Sequence, residues 1–205
     1  MIGEIDKSWK EQGKAVIGVD EAGRGPLCGP VVVSAVCLKE EIPGLNDSKK
    51  LTEKRRLELV PLIIKKSVWA VFSVRPEIID RLNILHATMW GMKKCVERVL
   101  RTVKDESIIL IDGNRVTGAF ENEEYLIKGD SKSINIAAAS ILAKSHRDRL
   151  MYRWAEIFPE YHLENHKGYA TKEHYEILEK IGPCRIYRKS FKLKREKHPE
   201  QIKLF

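Results

Sequence analysis

The feature that most restricts the fold is an apolar strand candidate that runs straight into two acids and a glycine turn. Ala15–Val19 leads into Asp20-Glu21, and Gly23, Arg24, Gly25 and Pro26 follow. A charged side chain at the end of a buried strand loses solvation free energy unless something pairs with it. The arrangement occurs again: Ser107–Asp112 is an apolar run of buried-strand type ending on Asp112 before Gly113-Asn114, and a weaker strand, Glu124–Lys128, ends at Gly129-Asp130. Pro30–Leu38 and Trp69–Val74 are rich in β-branched and aromatic residues and read as two further strands. Helical patterns cover Leu51–Lys66, Pro76–Asn83, Leu85–Val103, Ser133–Ile157 and Thr171–Lys180. Pro61 should kink or interrupt the first, Thr171 N-caps the last, and Gly182-Pro183 stops it. This order predicts an α/β fold, a mixed five-stranded sheet flanked by helices, whose first three strands are candidates for an antiparallel meander.

If the strand ends meet at one edge of that sheet, three or four carboxylates lie within a few ångströms of one another. They would repel and raise each other's pKa values unless divalent cations neutralised them. Hard oxygen ligands without His or Cys alongside suit Mg²⁺ or Mn²⁺. Two such ions about 3.5–4 Å apart serve in-line phosphodiester hydrolysis, one sharpening the attacking water and the other stabilising the leaving 3′ oxygen. The alternative for each acid is a turn cap. Asp112-Gly113 is a common turn pair, whereas Asp20-Glu21 before a Gly-Arg-Gly-Pro loop is less readily explained that way. Gly23 and Gly25 let the backbone approach a ligand closely, and Arg24 can clamp a phosphate or simply remain a solvated turn residue.

The chain of 205 residues carries a formal charge of +8, which alone suits a polyanionic partner or a merely basic surface equally, and its distribution favours the partner. The excess is concentrated: residues 185–205 hold eight Lys or Arg against two Glu. Cys28, Cys37, Cys95 and Cys184 form no C-x-x-C pair and read as small buried hydrophobes in a reducing compartment. The N-terminus is charged and lacks a signal-peptide stretch, and apolar runs such as Val31–Val33 are too short to span a bilayer. A cytoplasmic monomer without membrane association is expected.

Several of these segments also resemble one known family. Gly18-Val19-Asp20-Glu21-Ala22-Gly23-Arg24-Gly25-Pro26 resembles the opening motif of type 2 ribonuclease H, ribonuclease HII. Asn46-Asp47-Ser48-Lys49-Lys50-Leu51 resembles its N-D-S-K-x-L segment, and Ile111-Asp112-Gly113-Asn114 its third-acid strand. Lys128-Gly129-Asp130-Ser131, with Ile136–Lys144 and Arg147-Asp148, looks like the fourth-acid segment and its following helix. His166-Lys167-Gly168-Tyr169-Ala170-Thr171 and His174 match the H-K-G-Y-x-T-x-x-H stretch. Five motifs in order run from about Ala15 to Phe191.

The resemblance implies a ribonuclease H-like sheet with a helical C-terminal part. It makes Asp20, Glu21, Asp112 and Asp130 the catalytic, metal-binding acids. Gly23, Arg24 and Gly25 would grip a ribonucleotide at an RNA–DNA junction through its 2′-OH, the group that separates RNA from DNA. Tyr169 would stack on the next, deoxy, sugar, and Lys49 and Lys167 would contact phosphates. The implied substrates are RNA–DNA hybrids and DNA duplex containing ribonucleotides, cut to leave 5′-phosphate and 3′-OH ends. One departure stands out: the family often has G-P-x-x-x-H-R-x-S-F near its end, and Tyr187 occupies the His position here. Nineteen residues before Asp20 leave no room for the N-terminal binding domain of the related type 3 enzymes.

Residues 1–191 form the expected domain, with its core from about residue 15, and 192–205 a basic tail. The tail's end, with Gln201, Leu204 and Phe205, resembles peptides that dock on the sliding clamp, although Leu204 and Phe205 could equally fold back on the body. His162 and His166 read as loop residues rather than metal ligands; Trp69, Trp90 and Trp154 read as core; Asp148 reads as a salt-bridge or capping residue. Two rival readings are a non-catalytic nucleic-acid binder and another polynucleotidyl transferase, such as an integrase or a junction resolvase. Four acids beside a polyanion favour an enzyme over a binder, and the Gly-Arg-Gly loop with Tyr169 favours a reader of the 2′-OH.

Overall fold

The computed structural model describes residues 2–45 and 51–191. Lys49 and the tail residues Gln201, Leu204 and Phe205 lie outside the described residues. The elements are α1 (Glu4–Glu11), β1 (Ala15–Ala22), β2 (Val31–Leu38), α2 (Glu53–Lys66), β3 (Ser67–Val74), α3 (Pro76–Leu100), β4 (Ser107–Asp112), β5 (Glu123–Leu126), α4 (Ile134–Ile157), α5 (Leu163–His166) and α6 (Lys172–Ile181). The sheet has the order β3-β2-β1-β4-β5, with β1–β2 and β2–β3 antiparallel and β1–β4 and β4–β5 parallel. The predicted meander and mixed sheet are both present.

Side-chain alternation divides the sheet into two faces. Ile17, Val19, Val33, Ala35, Ile109 and Ile111 pack against Met92, Cys95, Val96 and Val99 of α3. On the other face, Val36 and Leu38 meet α2 and α4, while Val16, Ile108 and Leu110 meet Ile136 of α4 and are flanked by Ile5 and Trp9 of α1. The contact between α4 and β1 is close because Gly18 has no side chain: a Cβ there would lie 2.1 Å from the carbonyl carbon of Asn135.

Several local readings need adjustment. α2 continues through Pro61; the bond it forgoes would reach the carbonyl of Leu57, an exposed residue, so water can satisfy that group. Thr52 caps this helix, its hydroxyl accepting from the Arg55 N–H. The expected break near Asn83 is present: Asn83 has φ 64°, and its side-chain Oδ1 accepts from the N–H of His86, starting the second half of α3. β5 is shorter than expected because Lys128 turns into the left-handed region at φ 55°. Trp90 and Trp154 pack on core clusters, but Trp69 is 39% exposed beside a groove between α2 and α4, so its assignment to the core is corrected. All four cysteines are free, and three are buried. No helix among the described residues is long and apolar enough to cross a membrane.

The sequence pattern did not announce α1, yet that helix holds α4 in place. Buried Asp6 accepts from the Ser133 hydroxyl (2.7 Å), the Ile134 N–H (2.9 Å) and the Asn135 side-chain amide (2.7 Å). A carboxylate thereby satisfies the orphan donors at the positive end of a 24-residue helix. Asp6→Ala should lower the unfolding free energy by about 2–3 kcal/mol in urea titrations, since hydrogen bonds to a charged group are each worth about 1.5–3 kcal/mol. A loss below about 0.5 kcal/mol would contradict this role.

Candidate active site

The parallel register pairs Val19 with Ile111, so Asp20 and Asp112 occupy the next rung of adjacent strands. Alternation turns both toward α4. Asp20 is buried, and its carboxylate accepts from the Glu21 N–H at 2.7 Å and from the Ser140 hydroxyl of α4. Asp112 accepts from the Gly129 N–H at 2.6 Å, which ties the end of β4 to the short turn Gly129–Ser131 and so to the buried Asp130. A side chain at 129 would collide: its Cβ would lie 2.6 Å from Ile136 and 3.2 Å from the Asp112 carboxylate.

Glu21 is one residue further along β1 and by alternation belongs to the α3 face. Its carboxylate lies 3.3 Å from the Arg24 guanidinium. Among the described residues, no three or more His, Cys, Asp or Glu side chains are drawn into one group that could hold a metal ion. The structure brings together Asp20 with Glu21 and Asp112 electrostatically, and Asp112 with the Asp130 turn through Gly129. Burial pushes the Asp20 carboxyl well above the usual carboxylate range, and the charges of Glu21 and then Asp112 push it further. Such a site of hard oxygens, with like charges close together, fits a divalent cation.

The Gly23–Gly25 turn is braced from behind. Buried Arg188 donates to the carbonyls of Gly29 (2.9 Å), Arg24 (2.9 Å) and Gly23 (2.6 Å). In a trans peptide the N–H opposes the C=O, so this grip turns the N–H groups of Arg24 and Gly25 to the other side. Gly23 has φ 94°, and a Cβ there would lie 2.1 Å from the Nε of Arg147. Arg147 in turn donates to the carbonyls of Pro30 (3.3 Å) and Lys167 (2.9 Å) and lies 5.5 Å from the Tyr169 ring centroid. Tyr169 is partly exposed, with its ring edge 3.9 Å from where a Gly25 Cβ would be. The two loops singled out in the sequence therefore form one wall beside Asp20-Glu21. The Lys167 ammonium lies over the Tyr152 ring at 4.7 Å.

Two of the basic residues counted near the C-terminus are engaged within the fold. Arg188 is buried, and Arg185 lies over Phe158 at 5.6 Å. Counting Arg188 toward a nucleic-acid-facing charge is corrected. Sequence reading also missed Ser140, which the pattern of small residues in α4 does not distinguish from its neighbours. Asp148 makes the expected ion pairs, with Arg56 (3.6 Å) and Lys144 (3.5 Å). His162 pairs with Glu173, and His166 hydrogen-bonds the Tyr161 carbonyl.

The sequence profile of the family described as Ribonuclease HII matches residues 17–194. The chain belongs to the ribonuclease HII family. It is 49% identical to the ribonuclease HII of Clostridioides difficile over 85% of this chain and 68% of that one. It is 47% identical to that of Caldicellulosiruptor bescii over 92% of each. Among solved structures it is similar to the ribonuclease HII in a PCNA complex from Archaeoglobus fulgidus, at 30% identity and a TM-score of 0.72, over 89% of this chain and 98% of that one. The fold is ribonuclease H-like with a helical C-terminal part, and the family membership makes the protein a metal-dependent endoribonuclease.

The raised Asp20 carboxyl has a definite sign in stability. The folded state holds this proton more tightly than the unfolded chain does. The group's contribution to stability is therefore fully present below its ordinary value of 3.8 and is lost as pH rises through the raised value. In chelator-treated protein, Asp20→Asn should be more stable than wild type at pH 8, with the difference closing toward pH 4 in urea titrations. A variant less stable than wild type at pH 8 would contradict the cost of burying this charge beside Glu21 and Asp112.

Proposed function

We propose that this chain is an endonuclease that hydrolyses the RNA strand of RNA–DNA hybrids and cuts on the 5′ side of ribonucleotides embedded in duplex DNA, leaving 5′-phosphate and 3′-OH ends. The observation that carries this reading is the juxtaposition of Gly25 with Tyr169 immediately beyond Asp20-Glu21. A wall that offers backbone N–H groups and an exposed aromatic ring suits a sugar with a 2′-OH next to one without. Gly23, Arg24 and Gly25 hold that hydroxyl and the adjoining phosphate, Tyr169 stacks on the following deoxyribose, and Lys49 and Lys167 contact backbone phosphates.

Asp20, Glu21, Asp112 and Asp130 are the catalytic set and would hold two divalent ions, Mg²⁺ or Mn²⁺. When bound, such ions supply activation of the attacking water and stabilisation of the leaving 3′ oxygen. The chain's own part is to aim Asp20 through the Ser140 hydroxyl and the Glu21 N–H, which favour its ionised form against burial, and to fix Asp112 through Gly129. Arg147 and Arg188 keep the reader wall rigid, so that the 2′-OH is distinguished by fixed donors rather than by an adaptable loop.

The protein acts in this reading as a cytoplasmic monomer. Gln201, Leu204 and Phe205 would dock on a sliding clamp, a reading supported by the PCNA complex of its Archaeoglobus fulgidus relative. A DNA duplex carrying one ribonucleotide tests the central activity. With Mg²⁺ it should be cut once, 5′ of the ribonucleotide, and Asp20→Asn should slow the cut at least about 10³-fold, in line with the loss of an electrostatic catalytic group. Comparable cleavage of an all-DNA duplex would reject the reading.

A further inference from the structure

Behind Tyr169 two imidazole rings are stacked face to face, with centroids 4.0 Å apart and planes 16° apart: His166 of α5 and His174 of α6. Both are buried. Each of their four nitrogens has one partner, and those partners determine where the protons sit. His174 Nδ1 lies 2.8 Å from the Tyr169 carbonyl, which can only accept, so Nδ1 carries the hydrogen. Its Nε2 is then bare and accepts from the Tyr187 hydroxyl at 2.6 Å. His166 has the opposite arrangement. Its Nε2 donates to the Tyr161 carbonyl at 3.0 Å, and its Nδ1 accepts from the Gly168 N–H at 3.1 Å.

The segment held this way is the turn that presents Tyr169. Lys167 and Gly168 both lie in the left-handed region, at φ 49° and 81°. A non-glycine residue held there needs surrounding contacts that fix it. Three contacts come from elsewhere: Arg147 binds the Lys167 carbonyl, the Leu27 N–H donates to the Gly168 carbonyl at 2.8 Å, and the Cys28 thiol packs at Gly168. The Gly168 N–H is met by His166, and the Tyr169 carbonyl accepts from His174 as well as from the Thr171 N–H at 2.9 Å. The Tyr169 N–H bonds to the His166 carbonyl.

We propose that His166 and His174 are positioning residues for Tyr169, acting as a complementary pair of neutral tautomers, with the Tyr161 and Tyr169 carbonyls fixing which nitrogen of each ring carries the hydrogen and Tyr187 donating to the bare Nε2 of His174. This rests on the reading of Tyr169 as the sugar-contacting residue. A second proton on His166 would set an N–H against the Gly168 N–H and break that anchor. The charged and titratable groups facing the pair are Glu164, Glu173, His162, Tyr161 and Tyr187. Burial outweighs the two glutamates: it lowers His166 and pushes His174 down to about 4, so both rings stay neutral near pH 7.

The tautomers can be read directly from imidazole ¹⁵N NMR of the full chain at pH 7. The expected pattern is hydrogen on Nδ1 of His174 and on Nε2 of His166. The reverse tautomer on either ring overturns the proposal, whatever the protein cleaves. Kinetics then test the link to substrate. On a duplex with one ribonucleotide, His174→Ala should lower kcat/KM about 10-fold or more, as expected for a lost anchor of order one hydrogen bond. His174→Asn, whose amide nitrogen can take the place of Nδ1, should restore most of it.

In a Tyr169→Ala background, His174→Ala should cost less than about twofold more, because the two residues act as one unit. A full additional loss there would mean that His174 serves the fold generally and would overturn the proposal. Should His174→Ala not fold, Tyr187→Phe gives the same test. It should leave the His174 hydrogen on Nδ1, where the Tyr169 carbonyl requires it, and slow cleavage only while Tyr169 is present; a hydrogen moved to Nε2, or equal slowing in the Tyr169→Ala background, would overturn the proposal. A wild type with the expected tautomers that leaves the ribonucleotide duplex uncut would support the anchoring and overturn the functional reading instead.

Discussion

Burial of Asp20 beside the negative charges of Glu21 and Asp112, at the same end of two adjacent parallel strands, is the constraint on which this structure turns. Asp20 and Asp112 reach the same edge because Val19 pairs with Ile111 beneath them, and the apolar runs that set this register are buried on both faces. A strand that slipped by one residue would move its acid to the opposite face. The arrangement costs stability: burial and two negative neighbours disfavour the charged form of Asp20. The rest of the sheet, with α3 on one face and α4 on the other, has to outweigh that cost. Gly18 contributes by letting α4 lie against β1, close enough for Ser140 to reach Asp20.

The C-terminal part supplies rigidity to the recognition wall. Arg188 and Arg147 are buried donors whose hydrogen bonds backbone carbonyls accept. Burial accordingly lowers Arg188 to about 9, with Arg147 adding to the shift. A planar guanidinium holds three carbonyls of one loop with donors in fixed directions, whereas the three donors of an ammonium rotate. The stretch from Leu27 to Gly29 is laced between Gly168 and the segment Ile186–Arg188, so the Gly-Arg-Gly turn and the Tyr169 turn are fixed to the same short piece of chain. Positions on two distant parts of the sequence thereby keep a constant spacing.

Much of this was legible in the sequence, for physical reasons that differ by element. The strands were legible because buried apolar runs stop abruptly at acids and glycines, and α6 because Thr171 caps it. α1 was not, since the value of Asp6 lies in a helix end 127 residues away. Arg188 looked like one more charge in a basic tail, because composition does not separate a solvated guanidinium from a buried one. Trp69 looked like core because its strand is apolar, whereas its side chain borders an open groove. The acids were identifiable one by one, but their meeting depends on the register of β1 against β4, which no single motif reveals.

The most direct measurement is anomalous diffraction from crystals of the full chain grown with Mn²⁺ and a duplex containing one ribonucleotide. Manganese should lie between Asp20 and Asp112, within the 2.0–2.3 Å or so typical of oxygen ligands. Manganese bound elsewhere, with the Asp20 and Asp112 carboxylates left facing one another, would contradict the assignment of this strand edge as the catalytic centre.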